Sequence, residues 1–236
     1  MILLLPTLAV VSNLAMASAQ TCAPDPTDVR IETKIDEPRL DTSKDGEQLQ
    51  TMRFSSPVTS DRRFAQLTGL TVGGIAVDSE IRIASDGKEG NPVCAWPSVV
   101  TVTLTTSPTI YVLATHGQCQ QAVGLKHEMG HVSIDRGIIE RYAPVFRQRL
   151  AAMADAISAD ASPPGRDLRT QRQRIEEKIN AIISVVSDQL NADRSTEQRL
   201  FDSPEEYARV SAACPQVTLD PPRPAVGHMR SAAPGA

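Results

Sequence analysis

Hydrophobic and polar positions change their rhythm once along this chain, close to Thr115. Ahead of it, Val29, Ile31 and Ile35 alternate with polar residues in DVRIETKID, the period of two of a half-buried strand. GLTVGGIAVDSEIRIASDG predicts one or two strands, bent at Gly73-Gly74 and closed by a turn at Asp86-Gly87. VVTVTLTTSPTIYVLAT predicts two β-branched runs joined around Ser107-Pro108. Between these, residues 37 to 60 are polar and turn-rich, with only a short strand suggested at Met52 to Phe54.

From Thr115 onward the period is helical. Thr115 with Gln118 three residues later has the form of a capping box, so a helix is expected to start there. Ile138, Tyr142, Val145, Leu150, Met153 and Ile157 then line one face, with Pro144 marking a kink or a fresh start. SPPG at residues 162 to 165 breaks the pattern, and Ile175, Ile179, Ile182 and Val186 place a second stripe on a helix from about Leu168 to Asn191. The pair predicts an antiparallel helical hairpin. Ser203, Pro204 and Glu206 match the N-cap, first and third positions of a last short helix. The expected fold is therefore α+β: an N-terminal antiparallel β-sheet, then a long helix, then a C-terminal helical hairpin.

Composition narrows the function. The chain has 236 residues, 41% hydrophobic and 22% charged, with a formal net charge of −4 and only 3% aromatic residues. Neither a basic footprint nor stacking platforms for bases are present, so nucleic acid is not an expected partner. Residues 1–19 combine an apolar run with the small residues Ala17-Ser18-Ala19, as in a signal peptide, although no Lys or Arg precedes Arg30. The run is too short to span a bilayer, so no stable membrane anchor is expected. Residues 20–214 then form a single domain, and the Pro- and Ala-rich residues 215–236 a disordered tail. Cys22, Cys94, Cys119 and Cys214 all follow the expected cleavage point. Their even number predicts two disulfides of open pairing and a secreted or periplasmic protein.

Residues 125–135 read LKHEMGHVSID, in a chain with four histidines. On a helix, His127 and His131 stand on one face and can share a single ion, while Glu128 points about 100° away and can act on a water held by that ion. By average composition those three positions coincide by chance in roughly one chain in one or two hundred. Here the sequence resembles the HExxH zinc metalloproteases, the zincins, over a stretch from about Val99 to Asp135. It is similar, more loosely, to small exported bacterial proteins described as zinc proteases. The resemblance implies Zn2+ as cofactor, a peptide or protein substrate, Glu128 as general base, and a strand within Val99 to Ala114 lining the cleft.

A third ligand is required. Ile134 and Gly137 stand where the metzincin extension needs Gly and His or Asp, so that branch is out, and a carboxylate from a later helix, as in gluzincins, is expected instead. Glu140, Glu176, Glu177, Asp202, Glu205 and Glu206 are open to this role. Asp135 ranks first, as third ligand or as a group orienting an imidazole; Asp202 and Glu205 follow, with Glu206 assigned to the helix cap. Cys119, eight residues before His127, could brace the site from beneath. The competing reading is a non-catalytic exported domain with a metal site, or a helical module that binds a partner.

Overall fold

The fold was obtained as a computed structural model, which describes residues 25–55, 69–86, 94–159 and 167–214. The expected signal peptide, the 215–236 tail and Cys22 lie outside the described residues. Among the described residues, six strands and four helices follow in the order β1 (Asp28–Ile35), β2 (Arg39–Asp41), α1 (Gly46–Ser55), β3 (Gly69–Val72), β4 (Ile75–Asp86), β5 (Cys94–Thr106), β6 (Thr109–Val112), α2 (Gln118–Ala159), α3 (Leu168–Phe201) and α4 (Pro204–Ala212). This is the α+β arrangement expected. The chain divides into two compact units, each assembled from three separate segments.

The first unit contains β1, β4 and β5, α2 from Ile134 and α3 as far as Ser195. Its sheet has the order β1-β5-β4, with β1 parallel to β5 and β4 antiparallel to it. The sheet is therefore antiparallel on one side only. Along β5, Val100, Val102 and Leu104 alternate into the core as the β-branched run predicts. A bulge opposite Arg82 and Ile83 leaves Ser98 unpaired, and its hydroxyl donates to the Arg82 carbonyl at 3.1 Å. The core is closed by Ile138, Ile139, Tyr142, Phe146 and Leu150 of α2 with Ile175, Ile179, Ile183 and Leu190 of α3. Pro144 neither ends nor restarts α2, which is one helix of 42 residues. Proline removes the amide that the Glu140 carbonyl would receive, but both residues are exposed, where water can serve that oxygen.

Asp135 belongs to this unit and is 2% exposed. Arg194 of α3 donates to both its oxygens, Nε to Oδ1 at 2.7 Å and Nη2 to Oδ2 at 3.0 Å, and Nη2 also reaches the Gly73 carbonyl at 3.2 Å.

The second unit holds β2, β3, β6, α1, the start of α2, the end of α3 and α4. Its sheet has the order β2-β6-β3, again with one parallel and one antiparallel neighbour. Alternation along β6 sends Ile110 and Val112 against Val132 and Leu125 of α2, and Tyr111 with Leu113 against Leu49 of α1. Helix α1 lies where the sequence suggested a strand at Met52 to Phe54. Its signal is a reciprocal cap: the Gln48 amide donates to Asp45 Oδ1 at 2.8 Å and the Asp45 amide to Gln48 Oε1 at 3.1 Å. Helix α2 starts at Gln118 rather than just after Thr115, and the Gln121 side chain satisfies the Leu113, Ala114 and His116 carbonyls. The Cys119–Cys214 disulfide ties the start of α2 to the end of α4, Cys94 is also disulfide-bonded, and none of the described cysteines is free. Among the described residues no helix is long and apolar enough to cross a membrane.

Candidate metal centre

All residues of the centre belong to the second unit. His127 and His131 are one turn apart on α2, their ring centroids 5.0 Å apart and their planes nearly perpendicular. Asp202 meets them from the far end of α3. The Asp202 amide donates to the Gln198 carbonyl at 3.1 Å, so the residue takes one more helical step before Ser203 caps α4 through the Glu206 amide at 3.1 Å. The joint between two helices thus fixes the position of this carboxylate.

Asp202 Oδ1 lies 3.2 Å from His127 Nε2 and 3.1 Å from His131 Nε2. It is buried, yet it has no hydrogen-bond partner, so neither approach is directed as a hydrogen bond. Bonds of ~2.0–2.2 Å to a tetrahedral ion would separate neighbouring donor atoms by about 3.3–3.6 Å, a few tenths of an ångström more than these approaches. The spacing fits donors arranged around a small divalent cation, and two imidazoles with one carboxylate suit zinc. Among the described residues, this is the group of His, Cys, Asp or Glu side chains whose donor atoms gather closely enough for an ion.

The far nitrogens are also engaged. His127 Nδ1 is 3.1 Å from Glu206 Oε1, and His131 Nδ1 faces the Gln198 amide oxygen. Glu206 is in turn gripped by Arg209, whose Nε donates to it at 2.6 Å. That guanidinium holds the Glu206 carboxyl down at about 2. Phe201 stacks on His127 and meets His131 edge-on, with both centroid distances 5.0 Å. A Cβ on Gly130 would lie 2.2 Å from Phe201 Cζ, so the space beside the motif is filled by packing.

Glu128 is 4% exposed and points to β3, where the Thr71 hydroxyl lies 2.8 Å from its Oε2 and 3.1 Å from its backbone carbonyl oxygen. A Cβ at Gly69 would meet Glu128 Cγ at 2.8 Å, so glycine lets the strand approach this side chain. The strand beside Glu128 is therefore β3, at the edge of its sheet; β5 and β6, which span the expected region, are both central.

The charges are strongly coupled. Burial raises the Glu128 carboxyl, against the pull of both imidazoles and the Thr71 hydroxyl. Burial alone would lower His131, but Asp202 and Glu128 overcome it and raise the imidazole to about 9. His127 is raised for the same reason, with Glu206 adding to the effect. Burial opposes ionisation of Asp202, and the two imidazoles reverse this and hold it well below the usual carboxylate range.

The structure brings His127, His131 and Asp202 together with Glu128 beside them, and leaves two expected residues out. Asp135 is taken up by Arg194. Glu205 is exposed, and its neighbour Glu206 is the one turned to the imidazole. Sequence reasoning missed Thr71, Gln198 and Phe201. Gln198 alone carried a usable signal, one helical turn before Asp202. Comparison of the chain with protein-family models, with curated proteins and with solved structures found no match in any of the three.

Proposed function

We propose that the chain is an exported zinc-dependent hydrolase acting on peptide bonds, with His127, His131 and Asp202 holding the ion and Glu128 as general base. One observation carries the reading: three donor atoms, two from α2 and one from the end of α3, gather closely enough for one ion, with a buried carboxylate one residue from the first of them. Zinc, when bound, supplies a Lewis acid and makes water more acidic near neutral pH. Three protein donors leave a fourth position open, as hydrolytic zinc sites require. Glu128 is held by Thr71 and its affinity for a proton is raised by burial, which suits a group that must accept one near neutrality. Gly69 keeps β3 close to this carboxylate, and β3, the edge strand of its sheet among the described residues, could pair with an extended peptide. The Cys119–Cys214 disulfide supports placement outside the reducing cytosol, in the periplasm or the medium.

Burial favours a second reading. His127 and Glu128 are 3% and 4% exposed, and a centre this enclosed suits a metal that holds α2, α3 and α4 together without catalysis, in a domain that works by binding a partner. Glu128→Gln separates the two. The hydrolase reading expects the variant to keep one zinc per chain by elemental analysis and to lose roughly 10²–10⁴-fold in cleavage of a quenched-fluorescence peptide library. A wild-type protein that binds zinc but cleaves nothing supports the structural reading. Purified protein without zinc, and unable to take it up, overturns both.

A further inference from the structure

Gln198 is 4% exposed and meets one residue twice. Its amide nitrogen donates to the His131 backbone carbonyl at 3.1 Å, and its amide oxygen faces His131 Nδ1. The first contact decides the second. An amide whose NH2 is committed to a carbonyl can turn only its oxygen to the ring, and an oxygen there accepts from an Nδ1–H. A neutral imidazole that carries its proton on Nδ1 has its lone pair on Nε2, the nitrogen that lies 3.1 Å from Asp202 Oδ1.

We infer that Gln198 is the positioning residue of the metal centre, selecting the His131 tautomer whose Nε2 faces the ion. This rests on the metal reading above and adds an assignment that the motif does not contain. The two imidazoles are supported differently. His127 leans on Glu206, a carboxylate already balanced by Arg209, whereas His131 leans on an amide that brings no charge. With neutral histidines the three ligands then carry a single negative charge, from Asp202, against the two positive charges of zinc. Backbone geometry holds the amide in place: on α3, Gln198 sits one turn before Asp202, as His131 sits one turn after His127 on α2, so the helices face each other in two rungs.

The test uses the full chain and zinc itself. Gln198→Met keeps the length of the side chain and removes both polar contacts. Gln198→Glu keeps an acceptor for Nδ1–H and removes the amide donor to the backbone. Zinc affinity by competition with a chromophoric chelator should fall 10–100-fold in Gln198→Met and less than threefold in Gln198→Glu. In the zinc-loaded wild type, the His131 Nδ1–H should give a slowly exchanging ¹⁵N-correlated resonance, kept in the Glu variant and lost in the Met variant. A merely structural strut to the backbone would weaken both variants alike and leave that resonance in place, which would overturn the inference. Equal affinity in all three proteins would also overturn it while leaving the zinc reading intact. A wild type that takes up no zinc removes both. Melting of the metal-free proteins identifies any variant that has not folded, and the Glu variant then carries the decision through the same resonance and affinity.

Discussion

Replacing Asp135 by Asn tests whether this residue is a structural partner or a ligand, and the two roles predict opposite readouts. The perturbation is small in volume. One oxygen becomes an NH2 group pointing at a guanidinium, and the negative charge is lost. In the first unit the carboxylate accepts from Arg194 at 2.7 and 3.0 Å, with the Asp135 and Arg194 side chains 2% and 14% exposed. A bond to a charged group contributes ~1.5–3 kcal/mol. Removing one member of a buried pair costs about 3–5 kcal/mol, because the other charge stays behind without its counterion. Partial access of water to Arg194, and its remaining bond to the Gly73 carbonyl, place the expected loss near the lower bound, about 3 kcal/mol. For a chain of this size that corresponds to a fall in melting temperature of roughly 6–12 °C. Because the pair as a whole offsets its own desolvation, Asp135→Leu combined with Arg194→Met should cost less than the two single changes added together. Urea denaturation followed by circular dichroism gives the stability, and elemental analysis of the same samples gives the zinc content. The expected result is a loss of about 3 kcal/mol with zinc retained. A loss under about 1 kcal/mol would refute the energetic argument, and loss of zinc at unchanged stability would restore Asp135 as a ligand.

Two further outcomes follow from the proposed metal centre. His131 is raised from 6.5 to about 9 in the metal-free protein, so the stability it contributes is complete below its unfolded value and is lost as pH rises through about 9. Zinc needs the neutral ring, so its affinity should move the opposite way, rising nearly tenfold from pH 7 to 8 and about 50-fold from pH 7 to 9, with proton release measurable by titration calorimetry in buffers of different ionisation enthalpy; a flat affinity would refute the coupling. Gly130→Ala should destabilise, since the added methyl clashes with the Cζ end of the Phe201 ring at 2.2 Å and overpacking at ~1–3 kcal/mol outweighs a helix-propensity gain of up to ~1 kcal/mol. Because that ring lies against both imidazoles, zinc affinity should fall with it; a variant melting at or above wild type with unchanged affinity would refute the packing account.

Local chemistry was legible along most of the chain. Strand β1 and the long β-branched strand β5 stand where their periodicities predicted, and so do the stripes of α2 and α3 except that Phe146 and Ile183 are buried more deeply than their expected neighbours Val145 and Ile182, because burial on one face writes itself into spacing. The pairing of the strands was not legible. Nothing in β1 or β5 records that they run parallel, since that depends on where the intervening chain returns. Helix α1 was missed for a local reason: its apolar positions are few, and the signal lay in the Asp45–Gln48 cap within a stretch that reads as turn.

The site divides along the same line. His127, Glu128 and His131 could be read because a helix alone fixes their geometry. The carboxylate that joins them could not be singled out, since it depends on which residue at the end of α3 arrives opposite. Asp135 was attractive because four residues from His131 is one turn, but that spacing states only that two side chains share a helix face over short range, not that both meet the same neighbour. The helix partner decides: Asp135 meets Arg194, while the imidazoles meet Asp202. The choice between Glu205 and Glu206 has the same origin. The Ser203-Pro204 start gives the register of α4, and adjacent helical residues differ by about 100°, so one of the two faces His127 and the other faces solvent. The cap engages the Glu206 amide and not its carboxylate, which turns to Arg209 and the imidazole. Carboxylate candidates beyond an HExxH helix are therefore better ranked by the register of the element that brings them than by their distance along the chain.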